Sequence, residues 1–260
     1  MFSPTMGEVT LNKSFFEEVK YAKMKGFKVN VFTNGISLNS HENYKKIVNS
    51  GIDEIVISTG DINPKYEAEI LGISQDLATQ KIRGLINLIE YKIKTKSNIK
   101  ITIAFRAKRS FKQIWGSMKK MKFKKFFEKK ALYIDFKTRY DNWCGIITQN
   151  DLIGIMKLKK RPLIRKYPCA SLWRISILSN GDIRLCACRI KETEHDDLVI
   201  GNIRDESLVN IINNEKGQKI LSEWQVGNIV DVCKECSRYM FPKFIRKKKI
   251  PIEYQNLFHR

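Results

Sequence analysis

Apolar and polar residues alternate in the first 140 positions in a way that predicts strands and helices in turn. Four short and nearly continuous apolar runs predict β-strands, at 27–32, 54–58, 99–105 and 132–136. Between them lie three stretches with helical spacing of apolar residues, at about 15–22, 44–48 and 76–93. Asn12 is expected to cap the first helix and Gly26 to end it. Strands that alternate with helices predict a parallel α/β sheet with right-handed crossovers.

The segment after residue 146 predicts a smaller α+β arrangement. Asn180-Gly181 lies between two apolar-rich runs, 174–178 and 183–186, which is a strong signal for a β-hairpin. We expect Asp205 to cap a later helix whose apolar face begins at Leu208 and which ends before Gly217 or resumes beyond it.

The chain is long enough for more than one domain. We expect an α/β domain at 1–145, a small α+β domain at 146–240 and a basic tail at 241–260.

The chain is strongly basic, with 48 Lys and Arg against 27 Asp and Glu and a formal net charge of +21. Eleven basic residues and one acidic residue lie between Arg106 and Lys130, and a second basic cluster occupies 243–249. Such patches can bind phosphates, nucleic acid or an anionic membrane surface. The lysines are spread along the whole chain, however, and no nucleic-acid-binding motif is recognisable, so we do not expect nucleic acid as the partner.

No apolar run is long enough to span a membrane, and no apolar signal sequence opens the chain. We therefore expect a cytoplasmic protein. In that reducing compartment, paired cysteines bind metal more often than they form disulfides, and six cysteines in 260 residues are too few for a disulfide framework.

Four cysteines near the C-terminus are the strongest candidates for chemistry. Eleven residues separate Cys169 from Gly181, four more lead to Cys186, and Cys233 and Cys236 form a Cys-x-x-Cys pair. Four thiolates in two groups can make an S₄ site for an iron–sulfur cluster or for zinc, and spacing alone does not separate the two.

The remaining two cysteines are interpreted differently. Cys144 is taken as a lone thiol. Cys188 lies two residues after Cys186, and it is either a substitute ligand or a buried thiol.

The segment from Cys169 to Cys236 resembles the auxiliary-cluster domain of radical S-adenosylmethionine (SAM) enzymes, called SPASM in its longer form and twitch in its shorter form. The family pattern is a cysteine, nine to fifteen residues, a glycine, four residues and a cysteine, and then, after a gap, Cys-x-x-Cys. No cysteine follows Cys236, so the resemblance is to the shorter form. It implies one auxiliary [4Fe–4S] cluster with four ligands, Cys169, Cys186, Cys233 and Cys236.

The N-terminal part resembles the radical SAM partial barrel, a curved (β/α)6-type sheet. Gly7-Glu8 matches the end of the Gly-Gly-Glu motif that contacts the amino group of SAM, and Met6 stands in its first Gly position. Thr33-Asn34 begins a match to the Thr-Asn-Gly that closes the third strand of the family.

Two further landmarks follow in order. Ser58-Thr59-Gly60-Asp61 is similar to the Ser-x-Asp-Gly turn near the SAM ribose, with its last two residues inverted, so only Ser58 carries over. Arg106 follows a predicted strand and is a candidate for the SAM carboxylate. The resemblance thus implies SAM-binding roles for Gly7, Glu8, Thr33, Asn34, Ser58 and Arg106.

The motif that defines the family is absent, because no cysteine precedes Cys144. In the family, Cys-x-x-x-Cys-x-x-Cys holds the cluster that cleaves SAM. Three explanations fit: a fragment, a degenerate homologue that kept its auxiliary domain, or a subunit completed by another polypeptide. We favour the first, because the sequence enters the pattern in the middle of a unit. We expect an incomplete barrel, without its first β/α unit, followed by the auxiliary domain.

The leading functional hypothesis is a radical SAM family protein with an auxiliary [4Fe–4S] cluster. The family role is radical modification or oxidation of a peptide, sugar or other small substrate, with SAM as the family cofactor. This chain alone is expected not to cleave SAM. The alternatives are a non-catalytic iron–sulfur or zinc protein that binds a partner, and a basic nucleic-acid-binding module with a structural zinc site.

Overall fold

The computed structural model describes residues 1–3, 7–121, 123–187 and 196–242. The chain divides into two compact units, one of Met1–Arg139 with Leu152–Lys157 and one of Tyr140–Asp151 with Leu158–Arg260. We call these the α/β unit and the cysteine unit, and each has its own hydrophobic core. The predictions made for Cys188, for Met6 and for most of the basic tail fall outside the described residues.

The α/β unit contains helices and strands in alternation. Its helices are α1 (Phe15–Met24), α2 (Asn43–Asn49), α3 (Pro64–Leu71), α4 (Gln75–Thr95), α5 (Phe111–Lys120) and α6 (Lys124–Glu128). Its strands are β1 (Asn30–Thr33), β2 (Glu54–Thr59), β3 (Lys100–Arg106) and β4 (Tyr133–Lys137). They pair in the order β1-β2-β3-β4, and every pairing is parallel. The predicted parallel α/β fold is confirmed.

The core of this unit follows directly from the strand and helix patterns. The strands β2 and β3 place Ile55, Ile57, Ile101 and Ile103 in the interior, all fully buried. Helix α4 covers the sheet with one apolar face, and Ser74 caps its start by accepting a hydrogen bond from the Leu77 amide at 3.2 Å.

Three helices of the α/β unit, α3, α5 and α6, were missed by the periodicity of apolar residues, because each is short or mostly polar. The first two carry signals at their first turn instead. Asn63 caps α3, whose first residue is Pro64, and Ser110 forms a capping box with Gln113 at the start of α5.

Two short strands lie where the chain passes from one unit to the other, β5 (Arg139–Tyr140) and β6 (Lys157–Leu158). The cysteine unit includes the second residue of each. Its remaining strands are β7 (Ile175–Ile177), β8 (Asp182–Leu185) and β9 (Val199–Asn202), which form an antiparallel sheet in that order. Its helices are α7 (Leu208–Ile212), α8 (Glu215–Gln225) and α9 (Asp231–Lys234). The predicted hairpin is present as β7 and β8.

The capping prediction at Asp205 is wrong. Ser207 caps α7 by accepting a hydrogen bond from the Asn210 amide at 3.2 Å, because it lies directly before the first helical residue. Asn214 then caps α8 by accepting from the Gly217 amide at 2.9 Å. The apolar stretch is therefore divided into two helices, and Gly217 lies in the first turn of the second.

Among the helices that the structure describes, none combines the length and hydrophobicity that a membrane crossing requires.

Candidate metal centre

Five cysteines of the cysteine unit line a single cavity, namely Cys144, Cys169, Cys186, Cys233 and Cys236. The first four are buried and Cys236 is partly buried. The cavity has a volume of about 20 Å³. The four cysteines predicted as ligands are thus brought together. Cys144, interpreted from the sequence as a lone thiol and not a ligand, lines the same cavity.

The hairpin brings Cys186 to the cavity. Cys186 directly follows β8, and its amide donates a hydrogen bond of 3.0 Å to the Arg174 carbonyl at the start of the opposite strand. Its φ of 70° lies in the left-handed region, which is unusual for a residue with a side chain. Such conformations persist where the surrounding structure enforces them, and they cluster at functional sites.

The glycine between the first two cysteines has a structural reason. Gly181 makes the turn of the hairpin with a φ of 90°, and its carbonyl accepts a hydrogen bond from the Ile203 amide at 3.0 Å. A Cβ atom at this position would lie 2.8 Å from Oδ1 of Asn202. Glycine is therefore the residue that permits both the turn and the close approach of β9.

Backbone amides donate hydrogen bonds to two of the sulfurs. The Met240 amide donates to Sγ of Cys169 at 3.2 Å, and the Arg238 amide donates to Sγ of Cys236 at 3.3 Å. The Ala170 amide also binds the Met240 carbonyl at 2.8 Å, so the two segments are held side by side. Amide donors to sulfur stabilise thiolates and tune iron–sulfur clusters.

Arg165 braces the turn that carries the Cys-x-x-Cys pair. Its guanidinium donates hydrogen bonds to the carbonyls of Cys233 and Lys234, the latter at 2.9 Å. Its own carbonyl accepts a hydrogen bond from the indole of Trp224 at 3.0 Å, and both residues line the cavity. A fixed positive charge therefore lies beside the thiols, in a wall that is otherwise largely apolar.

The surroundings of Cys233 disfavour a thiolate in the absence of a metal. Burial raises the pKa of the Cys233 thiol, and the neighbouring thiols of Cys186, Cys144, Cys236 and Cys169 raise it further. Buried thiolates this close together repel one another unless a positively charged group lies between them. Iron or zinc ions supply that charge and deprotonate the thiols on binding. The donor set therefore fits a thiolate-bound metal group.

The described residues include no group of three or more His, Cys, Asp or Glu side chains already arranged to hold a metal ion. The shared cavity, and not a preformed coordination geometry, is the observation on which this candidate centre rests.

The residues expected to bind SAM lie in the α/β unit, and the structure brings several of them together. The Glu8 carboxylate accepts hydrogen bonds from Oγ1 of Thr33 at 2.6 Å and from the Asn34 amide at 2.7 Å. Thr10 adds its amide and its hydroxyl to the same carboxylate at 3.2 and 2.9 Å. Glu8 thus ties the segment that begins at Gly7 to the carboxyl end of β1.

A buried ion pair that sequence reasoning missed lies behind this edge of the sheet. Lys81 and Glu67 are both fully buried and bonded to each other. Lys81 also donates to the Ser58 carbonyl at 2.8 Å, while Glu67 accepts from the amides of Gly60 and Asp61 at 2.7 and 2.8 Å. Burial lowers the pKa of Lys81, and the charges of Glu67 and Glu8 oppose that effect. The pair holds the turn after β2, where Ser58 lies.

Arg106 and Arg109 occupy different positions. Arg106 is the last residue of β3 and is exposed. Arg109 binds the buried Asp61 carboxylate at 2.6 Å and lies over the Tyr66 ring at 3.8 Å from its centre. Arg109 therefore contacts the turn after β2, and the role of Arg106 at the SAM carboxylate stays a prediction.

Only part of this network had a signal in the sequence. Lys81 lies three residues after Ala78 and four before Leu85, so it falls on the apolar face of α4. A lysine on that face indicates a buried partner. Glu67 and Asp61 carry no such signal, because their burial depends on the path of α3.

Comparison with known proteins supports the same assignment for the cysteine unit. Residues 169–237 match the SPASM family, described as an iron-sulfur cluster-binding domain. Comparison with curated protein sequences gives no significant match.

Two solved structures match nearly the whole chain. Native anSMEcpe with bound AdoMet and Cp18Cys peptide matches with a TM-score of 0.50 and 14% identity, over 99% of this chain and 84% of that one. Native anSMEcpe with bound AdoMet matches with a TM-score of 0.51 and 14% identity, over 99% of this chain and 83% of that one. At 14% identity this likeness concerns the fold alone, and it confirms the predicted fold class, a partial α/β barrel followed by a small α+β domain.

Proposed function

We propose that this chain, whose residues 169–237 match the SPASM iron-sulfur cluster-binding domain, binds one auxiliary [4Fe–4S] cluster. Cys169, Cys186, Cys233 and Cys236 would be the ligands. The observation that supports this most directly is the single cavity that these four cysteines share. The family match then favours an iron–sulfur cluster over zinc.

The protein contributes three features to the proposed centre. The amides of Met240 and Arg238 donate to the sulfurs of Cys169 and Cys236. Arg165 offsets the negative charge of the thiolates, and the apolar wall around Trp224 and Tyr239 limits access of water. A bound cluster would supply one-electron redox chemistry or a Lewis-acid iron, while these residues set its potential and stability.

We infer further that the α/β unit keeps the scaffold of a SAM site without the means to cleave SAM. The scaffold consists of Glu8, which is hydrogen-bonded to the carboxyl end of β1, and the turn after β2 held by Glu67 and Lys81. The sequence has no cysteine before Cys144 to hold a second cluster. This chain alone should therefore produce no 5′-deoxyadenosine.

The substrate class is proposed from a neighbouring structure. One of the two solved structures holds a peptide together with AdoMet. A peptide is accordingly the proposed substrate of an enzyme that includes this chain.

The test is metal and sulfide analysis of protein purified without oxygen, together with its visible spectrum. We expect about four iron and four sulfide per chain and a broad absorption that fades on reduction. One zinc without sulfide or colour would refute the cluster. The same sample, incubated with SAM and a reductant, should yield no 5′-deoxyadenosine by chromatography. Formation of 5′-deoxyadenosine would refute the inference that this chain alone does not cleave SAM.

A further inference from the structure

The cavity holds one more thiol than a [4Fe–4S] cluster needs. A cluster of this type takes four cysteine ligands, and the SPASM match begins at residue 169, well after Cys144. Cys144 is nevertheless as buried as the motif cysteines, with 7% of its surface exposed against 8% for Cys169 and 7% for Cys186. Its side chain faces the same cavity.

Cys144 is anchored to the turn that carries Cys236. The Asn142 amide donates to Oγ of Ser237 at 2.8 Å, and the Ser237 amide donates to Oδ1 of Asn142 at 2.9 Å. Nδ2 of Asn142 donates to the Glu235 carbonyl at 2.7 Å. These three hydrogen bonds hold residues on both sides of Cys236, so Cys144 and Cys236 reach the cavity from adjoining loops.

The backbone of this loop directs the thiol inward. Trp143 and Cys144 have φ values of 44° and 61°, and the Gly145 amide closes the turn on the Asn142 carbonyl at 2.9 Å. Gly145 packs against Glu235, since a Cβ atom built on the glycine would lie 3.4 Å from Cβ of that residue. The loop is thus fitted to the Cys233–Ser237 segment along its length.

Among the motif cysteines, Cys236 is the one whose loss Cys144 could compensate. It is only partly buried, whereas the other four cysteines that line the cavity are buried. We propose that Cys144 is a reserve ligand of the cluster, which binds the iron left open when the Cys236 thiolate is lost. This inference rests on the proposed function, because it requires the cluster itself.

The experiment compares four proteins purified and reconstituted without oxygen: the wild type, Cys144→Ala, Cys236→Ala and the double variant. Iron and sulfide are measured per chain, and electron paramagnetic resonance distinguishes [4Fe–4S] from [3Fe–4S] clusters. We expect Cys144→Ala and Cys236→Ala each to keep iron within about twofold of the wild type, and the double variant to lose at least about fivefold. Cys144→Ala is the matched control, since it leaves all four motif cysteines in place.

Two results would overturn the inference in distinguishable ways. If the wild type holds a cluster and Cys236→Ala falls to the level of the double variant, Cys144 does not replace Cys236 and only this inference fails. If the wild type holds no iron, the proposed function fails as well. Far-UV circular dichroism checks that each variant folds, and Cys236→Ser, which preserves side-chain size, repeats the comparison if the alanine variant does not fold.

Discussion

Replacing Glu67 with alanine should strongly destabilise the α/β unit. The substitution removes the partner of Lys81, a lysine whose side chain is 0% exposed. It also removes the acceptor of the Gly60 and Asp61 amides, which lie 2.7 and 2.8 Å from the carboxylate. What remains is a buried positive charge whose described polar contact is the Ser58 carbonyl, together with two amides without their acceptor.

The magnitude follows from these contacts. Breaking a buried ion pair by removing one partner costs about 3–5 kcal/mol. Each orphaned amide adds up to about 1–3 kcal/mol, but the terms overlap because water can enter the space that the side chain leaves. We therefore expect a loss of about 4–6 kcal/mol in the free energy of unfolding. For a unit of this size that corresponds to a fall of about 12–25 °C in Tm.

Hydrogen–deuterium exchange read by mass spectrometry is the assay, because it reports on the α/β unit separately from the cysteine unit. Peptides from β2 and β3 should exchange much faster in the variant, while peptides from β7 and β8 should be unchanged. The matched control is Glu90→Ala, which removes an ion pair with Lys125 of 2.8 Å whose side chains are about half exposed. That change should cost no more than about 0.5 kcal/mol.

Two outcomes would refute the reasoning. One is an equal loss of stability in Glu67→Ala and Glu90→Ala, which would mean that burial does not determine how much the Lys81 ion pair contributes to stability. The other is a double variant, Glu67→Ala with Lys81→Met, that is as unstable as Glu67→Ala. We expect the double variant to recover part of the loss, since it no longer buries an unpaired charge.

Two further predictions concern the metal centre. Arg165→Gln should lower the midpoint potential of the cluster, because a cation beside the cluster favours its more negative reduced state. A redox titration followed by electron paramagnetic resonance measures this potential. An unchanged potential would contradict the prediction. Gly181→Ala should lower the free energy of unfolding of the cysteine unit by about 1–3 kcal/mol, since its Cβ would meet Asn202. The Tm of that unit and the iron content should fall as a result. Gly227→Ala is the control, because Gly227 has the same φ of 90° but open space around it, and this substitution should have the smaller effect. Equal effects would mean that the positive φ alone causes the destabilisation.

The sequence by itself determined the features that depend on local pattern. Alternating apolar runs identified the parallel sheet, and Asn180-Gly181 identified the hairpin that delivers Cys186. These succeed because strand burial and turn chemistry are set by residues adjacent in the chain. The spacing of Cys169, Gly181 and Cys186 is a property of that hairpin, and so the sequence could identify it without knowledge of the rest of the fold.

Only the tertiary structure decided the features that depend on distant segments. Cys144 has no motif, and it reaches the cavity because Asn142 binds Glu235 and Ser237, more than ninety residues later in the chain. Lys81 finds Glu67 because α3 and α4 pack together, which no local signal at Glu67 encodes. The physical reason is the same in both cases. A side chain acquires its partner through the packing of whole elements, and the residues next to it in the sequence do not specify which partner that is.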